Sequence, residues 1–218
     1  LSTDYKTPTY RRRSRKLEPS VLMQNAAKTS AITYLLITTE QYRKEAERLV
    51  NYRRENPGLQ AVVVTLEEIY EAFSTGQQDI AAIRNFIRYL YYNQGKQLKY
   101  LCLFGDTSYD YKNHTGTSDM VVPTFHSVNS FSLANSYMSD DFFTMMDTSE
   151  GLLGSLDKMD IAVGRMLFTN AKEAADSVNK VIEYENPENI GDWINTYTIL
   201  SDDADYTSSK DDYNIQVR

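Results

Sequence analysis

Cysteine is nearly missing from these 218 residues: Cys102 stands alone, and histidine occurs only at His114 and His126. One cysteine excludes an internal disulfide and any cysteine-rich zinc site. No G-x-S-x-G elbow, G-x-G-x-x-G fingerprint, P-loop or H-E-x-x-H pair occurs. Their absence argues against elbow-type serine hydrolases, dinucleotide enzymes, P-loop proteins and zincins. No apolar run approaches the ~20 residues that span a bilayer, and nothing at the start resembles a signal peptide. Positive charge is not in excess: a net charge of -7 and a pI near 4.9 argue against a general nucleic-acid binder, which needs a dominant basic face.

What remains is a chain with 41% hydrophobic residues, enough to bury a core. Seventeen tyrosines beside one cysteine suit an exported bacterial protein. Residues 1–31 lack a sustained period and read as a linker or the end of a preceding domain. Within them, the run Arg11-Arg12-Arg13-Ser14-Arg15-Lys16 reads as a solvated arm, with an acidic partner as the other possibility. Because Leu1 is not a methionine and no closing element precedes Arg218, the expectation is a piece of a longer protein.

Order is expected from Thr33-Tyr34-Leu35-Leu36-Ile37-Thr38, a short run of β-formers that suits a buried strand. Thr38 with Gln41 fits a capping box for a helix carrying Tyr42, Ala46, Leu49 and Val50, which Asn56-Pro57-Gly58 stops. Gln60 to Val64 is a second strand, Thr65-x-x-Glu68 caps a helix to Phe73, and Asp79 caps a longer one ending near Gly95. The third strand, Leu98 to Phe104, is apolar on both faces and stops at Gly105-Asp106. A long polar stretch to about Ser136 follows, then a short strand or turn around Ser139 to Phe143. Asp160 to Arg165 is a further buried strand, Asn170-x-x-Glu173 caps a helix closed by Asn186-Pro187, and Thr196 to Leu200 is the last strand. Such alternation predicts an α/β fold with a mostly parallel sheet between helices.

Ligands of such sheets gather beyond the carboxyl ends of the strands. Cys102 lies inside an apolar run, not at a strand end, so it reads as core rather than as a thiolate nucleophile. His114 and His126 lie in the long polar region and read as surface residues. The remaining signal is carboxylates: Asp106 with Asp110, Asp140 with Asp141, and Asp202, Asp203, Asp205, Asp211 and Asp212. Oxygen-rich loops of this kind suit calcium, with turn chemistry as the plainer alternative. The last cluster is not an EF-hand, because Ser208 and Asn214 fall where that loop needs glycine and glutamate.

An ordered set of segments carries a resemblance. Thr33 to Thr39, Glu45 to Val50, Val63 to Tyr70, Asp79 to Ile87, Leu101 to Asp106, Ser139 to Phe143, Asp160 to Arg165 and Glu183-Tyr184-Glu185 together resemble the gingipain-like cysteine peptidases. The likeness is strongest to the branch that acts as signal peptidase, or sortase, of the type IX secretion system. It implies a caspase-like, Rossmann-type three-layer α/β/α fold, with residues 32–218 as an amino-terminal subdomain that continues beyond 218. It also implies that the catalytic histidine and cysteine follow later strands, so no catalytic residue is assigned here.

In arginine-specific members an aspartate lies in the substrate pocket, and aligning Tyr197 to Gln216 places Asn214 there as a substrate-binding residue. An amide lacks the full charge that selects a guanidinium. The family's calcium sites near the matching loops make Asp106, Asp140 and Asp141 the candidate metal ligands, with Ca2+ as the only cofactor suggested. The partners implied are protein substrates and other secretion-system proteins, at the periplasm or outer-membrane surface of a Gram-negative bacterium. The rival reading is a non-catalytic α/β interaction module of a secretion machinery.

Overall fold

In the computed structural model of this chain, residues 31–110, 113–116, 122–128, 131, 136–151, 153 and 157–198 are described. The basic arm, Asn214 and the acidic cluster from Asp202 to Asp212 lie outside them. The chain divides into two compact units, Leu1–Lys180 and Val181–Arg218.

In the first unit, strands β1 (Tyr34–Thr38), β2 (Ala61–Thr65) and β3 (Tyr100–Phe104) alternate with helices α1 (Arg43–Glu55), α2 (Leu66–Phe73) and α3 (Ile80–Asn93). Two short strands, β4 (Phe125–His126) and β5 (Met138–Ser139), pair antiparallel beyond them. A 3₁₀ turn (Asp141–Thr144), β6 (Ala162–Met166) and α4 (Ala171–Glu185) follow. The main sheet is four-stranded and parallel, in the order β2-β1-β3-β6. The α/β fold expected of the sequence is therefore present, and every strand-to-strand connection within that sheet carries at least one helix or a long excursion.

Alternation along the buried strands separates two cores. Leu35 and Ile37 of β1 and Leu101 and Leu103 of β3 join Ile69 of α2 and Ile83, Phe86, Ile87 and Leu90 of α3 in one apolar cluster. The residues between them, Leu36 and Cys102, face the other way, and the buried face of α1 supplies Ala46, Leu49 and Val50. Near the strand ends an aromatic stack continues this second core: Phe104 meets Phe168 at 4.5 Å and Phe168 meets Tyr42 at 4.9 Å.

Capping follows the sequence at most helix starts. Thr65 and Glu68 form the reciprocal box of α2, and Asp79 accepts from the Ala81 N–H at the start of α3. At α4, Asn170 accepts from the Glu173 N–H, while Glu173 reaches one residue further back to Thr169. The box expected of Thr38 and Gln41 does not form. Thr39 takes the N-cap position of a 3₁₀ turn (Glu40–Tyr42) that leads into α1, and the buried Thr38 hydroxyl turns to the neighbouring strand instead. Burial decided this: a hydroxyl inside a sheet needs the nearest carbonyl more than an exposed helix start needs a cap.

The second unit begins within α4, whose unbroken period hides the boundary from a reading of the sequence. Asn186 caps a 3₁₀ turn at Pro187–Asn189, and a second lies at Asp192–Asn195, where Trp193 packs on Tyr184 at 5.2 Å between centroids. The strand expected over Thr196 to Leu200 is not formed at 196–198, where Tyr197 is fully exposed; 199–200 lie outside the described residues.

Phe86 is buried in the larger core and meets Phe73 edge-on at 5.6 Å. Phe86→Ala should cost about 3–5 kcal/mol in chemical denaturation, and a loss below about 1 kcal/mol would show that this cluster is not the stabilising core.

Candidate functional site

The order β2-β1-β3-β6 reverses direction at β1: the chain first adds β2 on one side, then returns to place β3 on the other. A crevice beyond the carboxyl ends of β1 and β3 is where an open α/β sheet of this order holds ligands. The two ends are joined, since the Thr38 hydroxyl donates to the Phe104 carbonyl at 2.7 Å. Beyond that bond lie Thr39, Gly105, Asp106 and Thr107.

Asp106 anchors the outgoing loop through its backbone and side chain together. Its N–H donates to the Phe168 carbonyl, its carbonyl accepts from the Val122 N–H at 2.9 Å, and its Oδ1 accepts from the Thr107 N–H at 2.7 Å. The Thr39 and Thr107 hydroxyls are buried nearby with no hydrogen-bond partner among the described residues. The Tyr42 phenol is pushed up by burial, then by the charges of Glu173 and Asp106. Gly105 has φ +147°, and a Cβ there would stand 3.1 Å from Val122 Cγ2. The turn out of β3 therefore requires glycine.

Asp140 does something the sequence did not disclose. Its two carboxylate oxygens accept from Arg165 Nε at 2.8 Å and Arg165 Nη2 at 2.7 Å, and its Oδ1 also accepts from the Thr124 hydroxyl at 2.7 Å. The same guanidinium donates from Nη1 to the Gly105 and Val122 carbonyls at 3.1 and 2.8 Å, and from Nη2 to the Pro123 carbonyl at 3.3 Å. An arginine has five N–H donors, and here each has an acceptor. The arginine two residues after the apolar run Ile161 to Val163 was the signal: a guanidinium drawn in at a strand end needs many acceptors.

Asp106, Asp140 and Asp141 are thus not gathered as three metal ligands. Asp140 is committed to Arg165, Asp106 anchors its loop, and Asp141 begins the 3₁₀ turn. Among the described residues no group of three or more His, Cys, Asp or Glu could hold a metal ion. The set does not fit a calcium ion shared by all three, and no chemical step is derived through one.

Cys102 sits in mid-strand against Tyr34, and burial pushes its thiol up to about 11. Burial thus disfavours the thiolate that a nucleophile would need. Neither histidine acts on it: His114 lies in an exposed turn, and His126 is in β4 opposite Met138. A second arginine, also unforeseen, secures the next loop. Arg84 of α3 donates to the Met145 carbonyl from Nε and Nη2, at 2.9 and 2.6 Å, and to the Glu150 carbonyl from Nη2 at 2.9 Å. Its guanidinium lies over the Phe142 ring at 5.4 Å.

A family model of peptidase family C25 matches residues 27–217. Among solved structures, dimeric latent PorU from Porphyromonas gingivalis is 29% identical with a TM-score of 0.64, over 75% of this chain and 16% of that one. The Arg-specific cysteine proteinase gingipain R (RgpB) of the same organism is 18% identical with a TM-score of 0.50, over 73% of this chain and 30% of that one. The second likeness is one of fold. The chain thus spans less than a third of either relative. No curated protein matches it significantly.

Asp140→Ala would leave a buried guanidinium short of its carboxylate and should cost about 3–5 kcal/mol on denaturation; a cost below 1 kcal/mol would mean that the pair is solvated. A pH effect is expected at the exposed turn after β3. Asp110 accepts from the Thr115 hydroxyl and from the Thr115 and His114 N–H groups, which holds its carboxyl below the ordinary aspartate value of 3.8. A depressed folded value means that the turn is fully supported above that ordinary value. Support is lost as pH falls below it through the folded one. Amide exchange at His114 and Thr115 should rise in that acid window, and exchange that is flat with pH would refute the turn.

Proposed function

The chain belongs to peptidase family C25, and we propose on that footing that it is the amino-terminal supporting part of a cysteine endopeptidase that removes C-terminal sorting signals from exported proteins. The observation that carries this reading is the family match over residues 27–217, joined to a likeness in sequence and fold to PorU. The place of action proposed is the periplasm or outer-membrane surface of a Gram-negative bacterium, with protein substrates and other secretion-system proteins as partners. Among the described residues no helix is long and apolar enough to cross a membrane.

The nucleophile of that enzyme is proposed to lie outside these 218 residues, because Cys102 is the one cysteine here and is packed in the core. What these residues contribute is the parallel sheet, together with carboxyl-end loops held by Arg165 and a separate loop, Met145 to Glu150, held by Arg84. Asn214 is proposed to face the substrate side chain. Calcium is proposed with Asp106 and Asp141 as separate candidate ligands, Asp140 being committed to Arg165.

The decisive assay is peptide-bond cleavage. The 218-residue chain should cleave nothing, and the longer protein should show cleavage that thiol alkylation abolishes and Cys102→Ser leaves intact. Cleavage by the short chain that Cys102→Ser removes would overturn the reading, and a longer protein that is inert with both catalytic residue types present would favour an interaction module. In the active protein, Asn214→Asp should raise cleavage after arginine by tenfold or more, on the order of the ~1.4 kcal/mol that one charge-assisted hydrogen bond supplies; an unchanged profile would remove Asn214 from the pocket. Millimolar calcium should raise Tm, and Asp106→Asn should cancel the rise; a Tm indifferent to calcium and chelator would dispose of the site.

A further inference from the structure

We draw no further inference here: the strongest candidate, the exposed apolar patch of Tyr184, Ile190, Trp193 and Ile194 at and beyond the last turn of α4, carries nothing because nothing in the structure shows what covers it.

Discussion

The loops at Gly105, Val122 and Asp140 converge on a single guanidinium. Arg165 leaves the edge of the hydrophobic sheet with its side chain only 9% exposed, a position that would be costly for an unpaired charge. The cost is offset because the planar fork finds a carboxylate on one side and three carbonyls on the other, so no N–H is left dry. Lysine could not replace it, since an ammonium has three donors and no fork. Through this one group β6 holds the exit of β3 at Gly105, the segment at Val122 and Pro123, and the turn at Asp140.

Among the described residues those loops bury few apolar side chains. Between Gly105 and Ser139 the chain is rich in serine, threonine and asparagine, and among its described residues Val122 is buried while the partly buried Phe125 stacks on Phe142 at 5.0 Å. Below them the layers are held by ordinary hydrophobic burial. The domain therefore has two regimes: an apolar sandwich of sheet and helices, and above it a polar shell tied down by charge-assisted hydrogen bonds. Arg84 applies the same solution to the loop from Met145 to Glu150.

The regular part of this fold was legible because periodicity and capping residues are local. Thr65 with Glu68 and Asp79 announced their helices, and the runs at Tyr34, Ala61, Tyr100 and Ala162 announced their strands. What escaped depends on contacts distant in the chain. Thr38 matched a capping pattern, yet its hydroxyl answers to a carbonyl 66 residues away. Asp140 matched a metal ligand, yet its partner lies 25 residues on, in a strand whose arginine gives no local sign of where its donors will go. Residues 196–198 have strand composition, but among the described residues no neighbouring strand pairs with them, and a strand needs one. Cys102 was legible for the opposite reason: a thiol inside an apolar run on both faces has nowhere to be but the core.

Arg165 organises the loops at Gly105, Val122 and Asp140 as a unit. Amide hydrogen exchange compared between the wild-type chain and Arg165→Met, which keeps the stem but removes all five donors, tests it most directly. Protection should fall together at Val122, in the paired strands β4 and β5 and at Phe143, while β1 and β2 keep theirs. Unchanged protection at those amides, or a loss spread evenly over the whole sheet, would contradict it.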